Sequence, residues 1–304
     1  MRHLGKYLGT VALCLATIAG SATGATAASE ATPPPPPRNN SSNETVYLVK
    51  GFNPDPTSDG VSCNARWKYL IKASKEWGWK KKQFIQVGFY KGDYNCDINL
   101  APRDGTWGLG LEELGRRLAW NIYLNHSVKG ESVDLVGHSM GGLIIRAAVL
   151  GTQQHKKNWP DFIYVEDAVT LGTPHYGTFN ADVCVDLFPT AQQCEDIIPG
   201  SYFSNWLTGS KVPQARQGTD WTFIGSQADE SVSPRSSTPT THGARHLVRY
   251  DESAGISHSA LRIMSRGTKP MRYSNDGGRT WRHTTRGAAP LHATSNALYW
   301  SSAW

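Results

Sequence analysis

Residues 132–148 read SVDLVGHSMGGLIIRAA, and this stretch decides the fold. Residues 132–136 are rich in valine and leucine, as in a buried strand, and residues 141–150 have the apolar pattern of a helix. Between them, Gly137-His138-Ser139-Met140-Gly141 is the only G-x-S-x-G match in the chain. A sharp turn of this kind between a strand and a helix exposes its serine hydroxyl at the edge of a sheet. The stretch therefore predicts that Ser139 is a nucleophile.

Strand and helix patterns alternate on both sides of this stretch. We expect strands at residues 45–49, 83–90, 132–136, 162–171, 221–224 and 246–250, and helices at residues 63–77, 109–124, 141–150 and 260–265. This alternation predicts an α/β fold with a mostly parallel central sheet flanked by helices. The functional loops of such a sheet lie at the carboxyl ends of its strands.

The composition excludes several classes of protein. Hydrophobic residues make up 39% of the 304 residues and charged residues 18%, so a wholly disordered chain is excluded. The 30 glycines show no period of three, which excludes collagen. The formal charge of +6 is small and spread along the chain, so we expect no nucleic-acid partner.

Gly-His-Ser-Met-Gly, followed by Gly-Leu-Ile-Ile-Arg, resembles the nucleophile turn of secreted bacterial, actinobacterial-type lipases and related serine esterases of the α/β-hydrolase superfamily. The resemblance covers residues 45–265. It implies the α/β-hydrolase fold, a catalytic triad in the chain order serine, acid, histidine, and hydrolysis of carboxylic esters. It implies no cofactor and no metal ion.

A serine of this kind needs two hydrogen-bond donors for the negative charge that develops on the substrate oxygen. The resemblance places one donor at the backbone N–H of Met140, directly after the nucleophile. It places the other in the loop after the first strand, Val49–Asn53, which is similar to the His-Gly loop of lipases with Lys50 in place of histidine. Phe52, which follows Gly51, is the expected second oxyanion donor.

The acid and the base are expected after two later strands. The resemblance places the acid at Asp229, with the adjacent Glu230 as the alternative, and the base at His258. His175 is the strongest rival for the base, because it also follows a strand. It precedes Asp229 in the chain, which is the wrong order, so we interpret His175 as structural or as part of the rim of the site.

The first 27 residues have the pattern of a secretory signal peptide, with a basic start, an apolar run at residues 8–19 and Ala25-Thr26-Ala27 as a cleavage site. The apolar run is too short to span a membrane comfortably, and no other apolar run in the sequence is long enough to do so. We therefore expect a secreted protein without a transmembrane anchor. Residues 28–44, rich in proline, asparagine and serine, are expected to be a linker.

Removal of the signal peptide leaves four cysteines, and an even number in an oxidising compartment predicts two disulfides. The sequence alone permits three pairings. We favour Cys63–Cys96, because both residues follow strands that would be parallel neighbours, and Cys184–Cys194, because the small loop between them closes easily. The chain has no C-x-x-C motif or compact Cys/His cluster that would favour a zinc site.

Two further segments are assigned by their position and composition. Residues 179–211 are apolar and lie where this superfamily often inserts a cap, so they are either a lid that binds acyl chains or a structural covering of the sheet. Residues 266–304 form a short C-terminal extension beyond the resemblance. Asn275-Asp276-Gly277-Gly278 predicts a hairpin there, and Ser274–Trp281 resembles a single sialidase box. A weak polymer-binding patch is the alternative for this tail.

These observations predict a secreted, monomeric serine hydrolase with lipid esters as the first substrate class and soluble esters or polyesters as the next. Its other expected partner is an insoluble ester interface. An acyltransferase with the same triad is one alternative. A non-catalytic surface- or polymer-binding protein with a vestigial triad is the other.

Overall fold

The computed structural model describes residues 33–38, 43–53, 60–178, 191–299 and 301–304. Pro33–Trp304 forms one compact unit. The predicted signal peptide and parts of the predicted linker lie outside the described residues. Within the described ranges, no helix is long and apolar enough to cross a membrane.

Nine strands form one sheet. They are β1 (Thr45–Val49), β2 (Phe84–Gly88), β3 (Ile98–Asn99), β4 (Val133–His138), β5 (Val165–Leu171), β6 (Asp220–Ser226), β7 (His246–Tyr250), β8 (Thr268–Ser274) and β9 (Arg282–Ala288). Their order is β3-β2-β1-β4-β5-β6-β7-β8-β9. The strands from β1 to β7 are parallel, and β8 and β9 are antiparallel. The predicted α/β fold with a mostly parallel sheet is therefore confirmed.

Helices cover both faces of this sheet. They are α1 (Cys63–Glu76), α2 (Leu111–Asn125), α3 (Met140–Gln153), α4 (Gln192–Asp196), α5 (Tyr202–Thr208), α6 (Pro234–Ser237) and α7 (Pro290–Leu298). Tyr47 and Val49 of β1 pack in the hydrophobic cluster with α2 and α3, whereas Val46 and Leu48 pack in the cluster with α1 and α7. Because successive side chains of a strand face opposite layers, a strand covered on both faces is apolar throughout.

The predicted last helix at residues 260–265 is wrong. Only Ala260–Arg262 forms a single 3₁₀ turn, in which Leu261 is the buried residue, because the chain becomes β8 at Thr268. The helix near the end of the chain is instead α7, which begins with Pro290 at its first position, where a missing N–H costs nothing.

The tail beyond residue 265 is part of the sheet. β8 pairs with β7, and β8 and β9 form an antiparallel hairpin joined through Asn275–Gly278. The Ser274 hydroxyl and the Asp276 carboxylate bond to each other and accept backbone N–H groups of the turn, which fixes its conformation.

The described half of the predicted cap covers α2 and α3. Its two short helices, α4 and α5, bury Ile197, Phe203 and Leu207 in the core cluster that contains α2 and α3. The Asp196 carboxylate accepts the backbone N–H of Leu111 at 2.6 Å, which caps the amino terminus of α2. Gln193 is fully buried and donates to two backbone carbonyls. These contacts attach the described half of the predicted cap to α2 and α3.

Cys63 and Cys96 form a disulfide with a Cα–Cα distance of 5.0 Å, which confirms the first predicted pairing. The bond links the start of α1 to the loop between β2 and β3. Cys184 lies outside the described residues, so the Cys184–Cys194 pairing stays a prediction.

Candidate active site

Ser139 lies on the turn between β4 and α3 and has a left-handed φ of +55°. This conformation costs a residue with a Cβ about 1–2 kcal/mol. Hydrogen bonds on both sides of the residue hold it there. The Ser139 N–H donates to the Leu171 carbonyl at 2.8 Å, and the Thr173 hydroxyl donates to the Ser139 carbonyl at 2.9 Å. The strained turn is thus fixed against the end of β5.

The glycines of the motif are required by close packing. A Cβ at Gly137 would lie 2.5 Å from the Gly142 Cα, and a Cβ at Gly141 would lie 2.1 Å from the Val49 carbonyl oxygen. Any side chain at either position would push α3 away from β4 or β1. The sequence pattern thus reflects the close approach of three elements at one serine.

Asp229 and His258 form a hydrogen-bonded pair at the ends of β6 and β7. His258 Nδ1 lies 2.8 Å from Asp229 Oδ2, and the Asp229 side chain is fully buried. The other carboxylate oxygen accepts the backbone N–H groups of Ser231 and Val232, each at 2.9 Å. These donors fix the carboxylate so that it accepts the Nδ1–H of the ring, which leaves Nε2 available to accept a proton.

Glu230, the alternative acid, has a different contact. Its carboxylate accepts the backbone N–H of His258 at 3.1 Å, so Glu230 holds the loop rather than the ring.

A second histidine supports the loop of the base. The buried His138 ring lies 4.8 Å from the His258 ring, between centroids, and its Nε2 lies 3.0 Å from the His258 carbonyl oxygen. Because a carbonyl only accepts, His138 Nε2 carries the proton and donates it. Burial, and secondly the positive charge of a protonated His258, hold the pKa of His138 well below its usual range. His138 is therefore a neutral donor that positions His258.

Leu171 and Gly172 lie between Ser139 and the Asp229–His258 pair. The Leu171 carbonyl holds the Ser139 N–H, and the next residue, Gly172, has a φ of +56°. A Cβ at Gly172 would lie 3.0 Å from both Asp229 Oδ2 and His258 Nδ1. The end of β5 therefore passes directly between the turn of Ser139 and the Asp229–His258 pair, which places all three predicted triad residues at one edge of the sheet.

The loop after β1 packs against the nucleophile. A Cβ at Gly51 would lie 2.8 Å from the Ser139 Cβ. Lys50 points away from the site and is buried, with its Nζ 2.9 Å from Asp93 Oδ2 and over the rings of Phe89 and Tyr90, at 3.7 and 4.1 Å from their centroids. Burial lowers the pKa of Lys50 to about 8, although Asp93 opposes the shift.

Asp93 is the anchor of this loop. Its carboxylate accepts the backbone N–H groups of Val61, Phe89 and Tyr90 at 2.8–2.9 Å in addition to pairing with Lys50. The Lys50–Asp93 pair thus fixes the loop that carries Phe52, the predicted oxyanion donor.

His175, the rival for the base, is buried and held by contacts of its own. Its Nδ1 lies 3.1 Å from Arg146 Nη1 and its Nε2 lies 3.0 Å from the Thr170 hydroxyl, so both ring nitrogens are occupied. The ring stacks on Phe223 at 3.9 Å. Burial, together with the adjacent Arg146 charge, holds the pKa of His175 well below its usual range, so the ring is neutral.

Four residues support the site in ways that could not be predicted from the sequence: Lys50, Asp93, His138 and Gly172. Lys50 and His138 belong to recognised motifs, but a motif does not show where their side chains point. Gly172 follows a predicted strand directly, and a glycine at a strand end is the one local signal of a close backbone approach. Asp93 has no local signal, since its role depends on a contact with a distant loop.

Part of the chain is similar in sequence to a known protein family. The sequence profile of the family described as "PGAP1-like alpha/beta domain" matches residues 117–190, which is less than half of the chain. This region includes β4, the turn of Ser139, α3 and β5. A search of curated protein sequences finds no match.

The comparison with solved structures finds matches of low sequence identity. Lipase B of Aspergillus fumigatus is 14% identical with a TM-score of 0.46, over 72% of this chain and 49% of that protein. A lipase of Bacillus licheniformis in its mature form is 16% identical with a TM-score of 0.42, over 68% and 82%. Phospholipase PlaB of Legionella pneumophila is 12% identical with a TM-score of 0.43, over 64% and 44%. The chain spans about half the length of the first and third of these proteins.

The fold itself is the α/β-hydrolase fold. A mostly parallel sheet with helices on both faces carries a serine turn after its central strand β4, and the sequence profile matches that same region. The fold class expected from the sequence is thereby confirmed.

Proposed function

We propose that the chain is a serine hydrolase of carboxylic esters in which Ser139, Asp229 and His258 form the catalytic triad. The observation that carries this proposal is the junction at Leu171–Gly172. It ties a serine on a strained strand–helix turn to a buried aspartate hydrogen-bonded to a histidine. A nucleophile, a base and an orienting acid are the three parts that acyl transfer to a serine requires.

The reaction proceeds in two halves. The Ser139 Oγ attacks the ester carbonyl carbon while its proton passes to Nε2 of His258, and the tetrahedral intermediate then expels the alcohol, which takes that proton. In the second half, His258 removes a proton from water, the resulting hydroxide attacks the acyl-enzyme, and Ser139 leaves with the proton. Asp229 holds the ring in the required tautomer and stabilises its charged form.

The backbone N–H groups of Met140 and Phe52 are the proposed oxyanion donors. Met140 is the first residue of α3, and the first N–H groups of a helix have no partner within the helix. Phe52 follows Gly51, whose missing side chain lets the loop lie against Ser139. A donor held in place before the reaction lowers the barrier by roughly 3–4 kcal/mol, and the Lys50–Asp93 pair provides that rigidity.

We propose that the substrates are lipid esters, or soluble esters and polyesters, and that the protein acts outside the cell. The signal-peptide pattern of residues 1–27 supports export. The Cys63–Cys96 disulfide supports an oxidising compartment, since such bonds are rare in the cytosol. The triad itself needs no metal ion or cofactor for this reaction.

Hydrolysis of p-nitrophenyl esters of increasing acyl length tests the proposal. We expect the wild-type chain to release p-nitrophenol and Ser139→Ala to lose at least about 10³-fold in kcat. The acyl length that is hydrolysed fastest then distinguishes an esterase from a lipase.

Ser253→Ala is the matched control. Ser253 is exposed and lies outside the site, so the same chemical change there should leave kcat within twofold of wild type. Equal rates in wild type and Ser139→Ala, or no hydrolysis by folded wild-type protein, would reject the proposal in favour of a binding protein with a vestigial triad.

A further inference from the structure

Three acidic residues meet at the edge of the sheet opposite the candidate active site. Glu44 precedes β1, Asp134 is the second residue of β4, and Glu166 is the second residue of β5. Carboxylate oxygens of all three lie within 4.8 Å of one another. The three residues are 7%, 0% and 1% exposed, so the cluster is almost completely removed from water. We call these residues the carboxylate cluster.

Two carboxylates of the cluster each have one oxygen that is fixed by a hydrogen bond. Asp134 Oδ1 accepts the backbone N–H of Asp167 at 3.1 Å, and Glu44 Oε1 accepts the Ser132 hydroxyl at 2.7 Å. The second oxygen of Asp134, Oδ2, is fully buried and has no hydrogen-bond partner within the described ranges of the chain, and Glu44 Oε2 has only the carboxylate of Glu166 as a neighbour there. A buried carboxylate oxygen without a partner costs free energy, so Asp134 Oδ2 calls for a ligand.

Arg38 is the cation that the described residues place beside the cluster, and it pairs with a neighbouring carboxylate. The Arg38 guanidinium lies 3.1 Å from Asp167 Oδ1 and donates to the Glu166 carbonyl oxygen at 3.2 Å, so it pairs with the neighbouring carboxylate. Asp220, which also acts on Asp167, pairs with His246 at 3.1 Å. The charge of Arg38 is therefore directed at Asp167 rather than at the buried oxygen Asp134 Oδ2.

We propose that Glu44, Asp134 and Glu166 bind a hard divalent cation, and that Ca²⁺ is the ion that fits best. All three donors are oxygens, which Ca²⁺, Mg²⁺ and Mn²⁺ prefer. Ca²⁺ ligands lie at about 2.3–2.6 Å, so a shared ion tolerates ligand oxygens nearly 5 Å apart, whereas the shorter bonds of Mg²⁺ require oxygens within about 4.2 Å. No histidine or cysteine belongs to the cluster that the described residues form, which disfavours Zn²⁺.

The ion would stabilise the sheet without taking part in the reaction. Its ligands join the amino-terminal ends of β1, β4 and β5, whereas Ser139 lies at the carboxyl end of β4. An ion that cross-links these three central strands would stabilise the part of the sheet that carries the serine turn. The site is independent of the proposed esterase function. No local pattern of the sequence predicts this site, because the three ligands are far apart in the chain and belong to no known spacing.

Calcium titration of the full chain after EDTA treatment tests the proposal. At pH 8, we expect millimolar CaCl₂ to raise Tm by about 5 °C or more and Tb³⁺ to bind with 1:1 stoichiometry, measured by luminescence sensitised by tryptophan. A wild-type Tm that is the same with EDTA and with Ca²⁺, together with no saturable Tb³⁺ binding, would overturn the proposal.

The Asp134→Asn variant tests the proposal both without and with Ca²⁺. The amide keeps the oxygen that accepts the Asp167 N–H, and its NH₂ group can donate to a neighbouring carboxylate. We expect its Tm in EDTA to be higher than that of wild type and its response to Ca²⁺ to be lost. Glu44→Gln should behave in the same direction if Asp134→Asn does not fold. Retention of the full Ca²⁺ response by a folded variant would contradict the proposal.

Glu131→Gln is the control for ions bound to the surface. Glu131 is exposed and directly precedes Ser132, so it lies close to the cluster in the chain but outside it. We expect its Ca²⁺ response to equal that of wild type. An equal loss of response in Glu131→Gln and Asp134→Asn would show that Ca²⁺ acts through surface charge alone.

Discussion

Asp229 and Glu230 are adjacent carboxylates that hold His258 at different atoms. The Asp229 carboxylate meets the ring, and the Glu230 carboxylate meets the backbone N–H. The chemistry depends on the ring tautomer, so the two residues should differ greatly in their effect on the rate although they are neighbours in the sequence.

We predict that Asp229→Asn lowers kcat about 10³–10⁴-fold on a soluble ester, because an asparagine amide stabilises the wrong tautomer of His258. Glu230→Gln keeps an oxygen that can accept the backbone N–H and should lower kcat less than about tenfold. Steady-state kinetics of the two variants provide the measurement. Equal losses in both would contradict the assignment of Asp229 as the acid.

Gly172 is a residue whose missing side chain keeps space for the acid–base pair. We predict that Gly172→Ala lowers kcat at least about 10²-fold, because its Cβ would lie 3.0 Å from Asp229 Oδ2 and His258 Nδ1. Gly267→Ala is the control, since Gly267 has a left-handed φ of +81° and no atom within 4 Å of the added Cβ. Both variants should lose stability through backbone strain, measured by urea unfolding, but only Gly172→Ala should lose activity. Activity lost equally in both would mean that strain alone explains the effect.

At the scale of the elements, the strands at the centre of the sheet could be predicted from the sequence, whereas only the turn between the last two strands could be. β1, β4 and α3 are buried on all sides, so their continuous apolar runs are visible in the sequence. β9 is an exposed edge strand with arginines and threonines, and β8 contains Pro270 at a shift in its pairing register with β9. A strand proline at such an irregularity is tolerated, but in the sequence it argues against a strand.

In the candidate site, too, some features could be predicted from the sequence and others could not. Ser139, Asp229 and His258 follow strands at positions that a motif and the chain order identify. The contacts that hold them, such as Lys50 to Asp93 and Gly172 to the acid–base pair, join elements that are far apart in the chain. No local pattern records such an approach, so only the folded structure reveals it.

The Cys63–Cys96 disulfide links α1 to the loop that anchors the predicted oxyanion segment. We predict that replacing both cysteines with alanine lowers the free energy of unfolding by roughly 3–4 kcal/mol, since the bond closes a loop of 33 residues. Either single replacement also breaks the bond, so each alone should cost nearly as much as the pair, measured by urea unfolding without reductant. Small, additive losses from the two single variants would contradict this account.

At the scale of the whole molecule, the two edges of the sheet have different electrostatics. The carboxyl edge holds the serine and its partners, and the amino edge holds buried acids. Burial, together with the neighbouring carboxylates, raises the pKa of Glu44 to about 8. Burial likewise raises the pKa of Asp167 to about 8 against the opposing charge of Arg38, and raises the pKa of Asp134 well above its usual range. Without a cation, the folded state keeps protons that the unfolded chain has released.

These raised pKa values predict that stability in EDTA falls as pH rises from 7.5 to 8.5. The folded state binds more protons than the unfolded state, so the free energy of unfolding decreases until pH passes the folded pKa of about 8. The buried histidines do not oppose this change, because their rings are neutral in both states above about pH 7. Thermal unfolding at several pH values provides the measurement.

Asp134→Asn is the control for this pH dependence. It removes one of the repelling groups, so its Tm should fall less than that of wild type over the same range. The lowered pKa of Lys50 acts in the opposite direction from about pH 8 upward, but it is present in both proteins and cancels in the comparison. Identical slopes for wild type and variant would show that the carboxylate cluster does not control stability.

The central claim is that Ser139 is an activated nucleophile, and covalent labelling of the folded chain with a serine-directed phosphonate tests it most directly. We predict a single adduct that peptide mass spectrometry places on Ser139, with none in Ser139→Ala and slow labelling in Asp229→Asn. An adduct on another serine, or no adduct on a chain that circular dichroism shows to be folded, would contradict the account.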